Sequence, residues 1–304
     1  MSSNLEKYHG IIPAFYACYD DEGEISPERV QMLAKHYLDE GVKGLYVGGS
    51  SGECIYQSVD ERKLVLENVM EAVGGKMTII AHIAATSTRD SVELAKHAAS
   101  LGVDALAAIP PIYFVLPENS IESYWREIIE ATDLDFFIYN IPGTTGYALS
   151  VDLLVKILKH PNVKGVKNSS MPVQDIYLFK RHAGRDIVVF NGPDEQFIAG
   201  RMMGADGGIG GTYGVMPKLF MAADQAVRDN NNKLAREIQY AINDIIFSFF
   251  KCDGNMYSVE KEVLKRKGLD IGIARKPLAP ITKGDHERID TIVAMIDEAY
   301  AKYA

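Results

Sequence analysis

Short runs rich in β-branched and apolar residues alternate along this chain with stretches in which apolar residues recur every three or four positions. The runs fall at 11–17, 44–49, 77–84, 105–110, 136–142, 163–169, 187–191 and 207–212. Several are apolar almost throughout, as in strands of a parallel sheet covered on both faces. Amphipathic stretches at 26–40, 59–73, 89–101, 120–131 and 151–159 predict helices between them. Local signals agree. Ser26-Pro27-Glu28 reads as an N-cap with proline at the first helical position, Ser58 as a cap followed by acids, and Gly102 as a helix stop. Eight strand–helix repeats predict a closed (β/α)₈ TIM barrel in preference to an open doubly wound sheet. After Pro217 the strand pattern stops, and 218–229, 233–252, 257–267 and 286–304 all read as helices. The expected organisation is therefore a barrel over 1–216 carrying the active site, with a C-terminal helical extension over 217–304 packed on it. No low-complexity linker separates the two.

Composition narrows the function classes. The 304 residues carry a net charge of −9 with no Lys/Arg-rich stripe, a poor match for nucleic acid. No apolar run is long enough for a membrane span, and Met1–Gly10 has no apolar signal core, so the expectation is a cytoplasmic protein. Cys18, Cys54 and Cys252 are far apart and odd in number, which suggests neither disulfides nor a zinc knuckle. His82 lies inside an apolar run and reads as a satisfied core histidine rather than a ligand. No metal site is predicted.

Chemistry in such a barrel gathers at the C-terminal ends of the strands. Lys167 stands near the end of the sixth run, Val163-Lys164-Gly165-Val166-Lys167-Asn168-Ser169. Burial disfavours an ammonium, and a desolvated amine can attack a carbonyl to form a Schiff base. The second strand ends in Gly48-Gly49-Ser50-Ser51-Gly52-Glu53, where small residues and hydroxyls can cradle a carboxylate. The fourth ends near Tyr113 and the fifth at Tyr139, a phenol placed to move protons. After the seventh come Gly192, Asp194 and Glu195, acceptors suited to a hydroxyl-rich ligand. The glycine run through Gly210 and Gly211 leaves room beside Lys167.

Taken in order, Gly49-Ser50-Ser51-Gly52-Glu53, Tyr139-Asn140-Ile141-Pro142, Gly165-Val166-Lys167 and Gly204-Ala205-Asp206-Gly207-Gly208-Ile209-Gly210 resemble the dihydrodipicolinate synthase/N-acetylneuraminate lyase family of Schiff-base aldolases. The likeness runs from about Tyr8 to about Pro280. It implies Lys167 as the Schiff-base lysine, with Lys164, three residues back along the strand, facing the other way. It implies that Ser50 and Tyr113 couple to Tyr139, with Tyr113 supplied by a neighbouring subunit of a homotetramer. It further implies that Ser51, Gly49, Ser169, Gly192, Asp194, Glu195, Gly210, Gly211 and Tyr257 contact substrate. No metal or dissociable cofactor is implied.

Within the family the chain leans toward the lyases. Gly143-Thr144-Thr145-Gly146 follows the tyrosine motif where dihydrodipicolinate synthases usually place an arginine for a second substrate carboxylate. Two departures stand out: Ser51 where a threonine is common, and Gly211 where lyases commonly have a serine that helps bind the sugar. The implied reaction is aldol cleavage of N-acetylneuraminate. Another aldolase or dehydratase of 2-keto-3-deoxy sugar acids, a dihydrodipicolinate synthase, and a non-enzymatic sugar-acid sensor are the alternatives.

Overall fold

The computed structural model describes residues 5–304, so the first four positions of the 1–216 unit lie outside the described residues. Eight parallel strands form one sheet: β1 (Gly10–Pro13), β2 (Gly44–Val47), β3 (Thr78–His82), β4 (Ala105–Ala108), β5 (Asp135–Asn140), β6 (Val163–Asn168), β7 (Val188–Asn191) and β8 (Gly207–Gly210). Each hydrogen-bonds its sequence neighbours, and β8 returns to β1. Ala14 bridges Tyr46 and the Phe15 N–H donates to the Tyr46 carbonyl at 2.9 Å, which closes the ring between β1 and β2. The predicted (β/α)₈ barrel is therefore what the chain forms.

Helices α1 (Pro27–Asp39), α2 (Val59–Val73), α3 (Thr88–Leu101), α4 (Glu118–Glu130), the single turn α5 (Pro142–Thr145), α6 (Val151–Ile157), α7 (Gln174–His182), α8 (Phe197–Met202) and α9 (Pro217–Arg228) connect and surround the strands. Ser26 caps α1, Ser58 forms a full capping box on α2, and Gly102 ends α3 in a left-handed conformation, as expected. Three further helices follow, α10 (Asn232–Phe249), α11 (Met256–Arg266) and α12 (Asp285–Tyr303). Helix α9 packs on β1 and so serves as a barrel helix, while α10 and α12 pack on α9. Among the described residues no helix is long and apolar enough to cross a membrane.

Strand alternation splits the apolar residues into two cores. Ile11, Leu45, Ile79, Leu106, Phe136, Ile138 and Val166 pack outward beneath the helices. Ile12, Tyr46, Ile80, Ala107, Phe137, Phe190 and Ile209 fill the inside. The inner core is closed below by Tyr8, whose hydroxyl donates to Asp135 Oδ2 at 2.7 Å. The glycines of β8 answer mainly to protein crowding. A Cβ on Gly207 would overlap the backbone of Gly10, and one on Gly208 would overlap the Tyr213 hydroxyl.

Candidate active site

Two adjacent strands set the centre of the site. β5 and β6 pair with Tyr139 opposite Lys167 and Asn140 opposite Asn168. Because successive side chains alternate, Tyr139 and Lys167 face the barrel interior while the two asparagines face outward. Asn140 Nδ2 donates to Asn168 Oδ1 at 2.8 Å, and Asn140 Oδ1 accepts the Leu149 N–H at 3.0 Å. Asn168 in turn donates to Ser170 Oγ, which donates to Asp175 Oδ2 at 2.6 Å. The outward pair thus locks the loops above the inward pair.

Lys167 is buried, with its Nζ 3.9 Å from the Tyr139 ring centroid and 4.1 Å from that of Tyr46. It is the one amine among the described residues lining a cavity of about 260 Å³ at the C-terminal strand ends. Lys164 is kept from that cavity. The β5–β6 register slips between Phe136 and Phe137, making Lys164 an extra residue in the strand. Its ammonium donates to the Pro161 carbonyl at 2.7 Å and pairs with Asp135 at 3.4 Å. Asp135 also takes the hydroxyl of Tyr8, so Lys164 lies at the opposite end of the barrel. A bulge, and not alternation alone, separates the two lysines.

The same cavity gathers Ser50, Ser51, Ser169, Gly192, Asp194, Glu195, Gly210, Gly211 and Tyr257 with Tyr139 and Lys167. Ser51 is buried and Tyr257 lies beside it. Ser169 rests against Gly192, where any Cβ would overlap its Oγ. Gly49 does not reach the cavity; a side chain there would collide with the Tyr46 ring. Tyr113 is also outside it. With φ at 83° and 91% of its surface exposed, it stands beside Phe114 at the edge of an adjoining cavity that Ser50 and Tyr257 share.

Asp194 is the most constrained of the acids predicted from sequence. Its Oδ2 accepts the Thr212 N–H at 2.8 Å and the Thr212 hydroxyl at 2.6 Å, while Oδ1 has no partner. Gln239 of α10 holds the loop by donating to the Asp194 carbonyl at 3.1 Å. Burial pushes the Asp194 carboxyl up to about 7, and the Thr212 bonds only partly oppose this. Half-buried Glu195 lies beside it, at the cavity wall.

His82 is a satisfied core residue. Its Nδ1 is 2.8 Å from the Gly48 carbonyl, which makes it the donor, and Nε2 accepts the Ile109 N–H at 3.4 Å. Burial and nearby Arg62 lower its pKa to about 3, so it stays neutral. Among the described residues no group of three His, Cys, Asp or Glu side chains converges to hold a metal.

Two features had no counterpart in the sequence reading. Glu53, in a left-handed conformation after the serine turn, forms a buried ion pair with Lys261 of α11 at 2.6 Å, and its other oxygen accepts the Arg275 N–H. This ties the Ser50–Ser51 loop to the helix that carries Tyr257. Glu260, on the same helix, also lines the cavity and is wholly buried.

A closed parallel barrel whose cavity at the C-terminal strand ends is lined by one amine, Lys167, has the architecture of a barrel enzyme. The chain belongs to the dihydrodipicolinate synthetase family, which it matches over residues 7–296. It is 56% identical to the N-acetylneuraminate lyase of Mediterraneibacter gnavus over 302 residues, 99% of this chain and 96% of that protein. It is 34% identical to the N-acetylneuraminate lyase of Rhizobium meliloti, over 95% of this chain and 96% of the relative. Among solved structures it is similar to a catalytic lysine mutant of the Ruminococcus gnavus sialic acid aldolase, with a TM-score of 0.98, 56% identity and 99% of each chain covered.

Proposed function

We propose that this protein cleaves N-acetylneuraminate reversibly to pyruvate and N-acetylmannosamine through a Schiff base on Lys167. The observation that carries the reading is the Tyr139–Lys167 pair, side by side on β5 and β6 inside the polar cavity. The similarity to lyases of that name over nearly the whole chain supports the substrate.

The open-chain sugar acid offers a C2 ketone. Lys167 Nζ adds to it, and loss of water leaves an iminium that withdraws electrons from the neighbouring bonds. The Tyr139 hydroxyl takes the proton of the C4 hydroxyl and passes its own to the substrate carboxylate as the C3–C4 bond breaks, so C4 leaves as an aldehyde and the electron pair moves into an enamine. Protonation at C3 and addition of water release pyruvate and free the lysine. Because the imine supplies the electrophile, the reaction runs without a metal or dissociable cofactor. Ser50, Ser51 and the backbone N–H groups of their loop hold the carboxylate. Asp194, Glu195 and the Gly192 carbonyl read the polyol tail, with Ser169, Gly210, Gly211 and Tyr257 forming the walls. Gly49 acts indirectly, by letting the serine loop close over Tyr46.

The exposed Tyr113, Phe114 and Val115 suit burial against a second copy of the chain, and Tyr113 would then couple with Ser50 to Tyr139 across the contact. A homotetramer in the cytoplasm is the assembly this reading expects, and light scattering tests its size. The activity is tested by pyruvate release from N-acetylneuraminate, followed with a lactate dehydrogenase couple. Release that vanishes in Lys167→Ala supports the reading. No release, with pyruvate still trapped on Lys167 by borohydride, transfers the chemistry to a different sugar acid.

A further inference from the structure

Helix α11 brings to the cavity one acid that the proposed mechanism leaves unused. Glu260 has no exposed surface, and neither of its carboxyl oxygens has a hydrogen-bond partner. The adjacent Lys261 turns away to bond Glu53. Tyr16 lies next to Glu260, but its single proton goes to the Gly211 carbonyl at 2.6 Å. Native proteins seldom leave a buried carboxyl without a partner, because the desolvation cost goes uncompensated. Burial, reinforced by Asp194, holds the Glu260 carboxyl well above the usual range.

Gly211 gives this acid its opening. A Cβ built there would lie 3.3 Å from Ser51 Oγ and 3.8 Å from Glu260 Oε1, with nothing nearer. A serine here would put its hydroxyl into this space; glycine leaves the space to Glu260. On the other side of the β8 end, Asp194 Oδ1 is unpartnered and presses on Gly210. Asp194 Oδ1 and both Glu260 oxygens thus remain unpartnered around one stretch of cavity. A chain of hydroxyls, each able to donate and accept, is the chemistry that satisfies them.

We propose that Glu260 is a specificity residue whose carboxyl hydrogen-bonds a hydroxyl of the sugar chain, in the place Gly211 leaves open and beside the hydroxyls read by Asp194. The inference rests on the polyol-tailed substrate of the proposed function.

The test compares full-length wild type with Glu260→Leu on two substrates, N-acetylneuraminate and a short 2-keto-3-deoxy acid without the polyol tail. The variant should raise KM for the long substrate about ten-fold, the worth of one buried hydrogen bond, with a smaller change in kcat and no matching rise for the short one. Pyruvate trapping by borohydride on Lys167 reports that the variant is folded. Adding Gly211→Ser to Glu260→Leu should recover part of the lost affinity, which a purely structural role for Glu260 would not produce. Unchanged KM in Glu260→Leu, or equal losses on both substrates, overturns the proposal and leaves the lyase reading intact. If Glu260→Leu fails to trap pyruvate, Glu260→Gln takes its place, and again a rise confined to the long substrate is required. Failure of wild type to cleave N-acetylneuraminate while trapping pyruvate overturns the functional reading, and this inference with it.

Discussion

The two ends of this barrel treat charge in opposite ways. At the N-terminal end, every acid on the inner rim has a cation or donor. Asp206 takes Lys180 at 2.8 Å and the Val189 N–H at 2.8 Å. Asp104 accepts the Ile79 N–H at 2.9 Å, and Asp135 accepts Tyr8 and pairs with Lys164. At the C-terminal end, Lys167 rests against two aromatic rings, Asp194 keeps one oxygen free and Glu260 keeps both. The lesson is a division of labour within one sheet: satisfied polar groups hold the barrel together at one end, while the other retains costly groups that the proposed function gives to a substrate. The Glu53–Lys261 pair is one exception at the upper end, as is Asp175 with Ser170; both fix loops instead of facing the cavity.

That contrast can be broken by mutation. The largest effect is expected from Tyr139→Phe, which should lower kcat by about 10²–10⁴ with the fold intact, since it removes only the proton-transferring hydroxyl. A near-normal rate would reduce Tyr139 to a packing ring against Tyr46 and Lys167. At the other end, Asp206→Ala should lower the unfolding free energy by about 1–3 kcal/mol in a denaturant titration, by stranding Lys180 and the Val189 N–H, and leave kcat as it was. A loss of kcat comparable with that of Tyr139→Phe would contradict the division.

The pH dependence sharpens it. Asp194 keeps its proton in the folded protein up to about pH 7, whereas in the unfolded chain it ionises near its ordinary value of 3.8. Between those two values the unfolded state binds fewer protons, so this group makes stability fall as pH rises, by at most about 1.4 kcal/mol per pH unit. Glu260 acts in the same direction. Asp194→Asn should therefore flatten the fall between about pH 4 and 7 in denaturation midpoints. An unchanged slope would mean that Asp194 is ionised in the fold. The smallest effect is expected from Lys164→Met: about 1 kcal/mol of stability or less, and no change in activity.

Much of this was legible in the residues. The strands and the long helices announced themselves by period and caps, as Ser26, Ser58 and Gly102 show. Helices α7 and α8 did not, because they are short and neither has a capping side chain. The bulge at Lys164 went unread, although Gly165 beside it, where a Cβ would overlap the Val188 carbonyl, is the residue type that marks such a site. The cavity collected most of the strand-end residues picked out by their chemistry, but Gly49 stands outside it against the Tyr46 ring, and Tyr113 lines an adjoining cavity instead. Glu260 escaped notice because Glu260-Lys261-Glu262 reads as a solvated charge run. Its helical neighbours at three and four positions, Tyr257, Val263 and Leu264, were the available signal that it lies on the buried side.

The central claim is that the buried amine at the upper end does the chemistry and the paired amine at the lower end does not. The direct measurement is to incubate the protein with pyruvate, reduce with borohydride and locate the added mass by peptide mapping. The account predicts a single modification on Lys167, lost in Lys167→Ala. Label on Lys164, or no label at all, would contradict it.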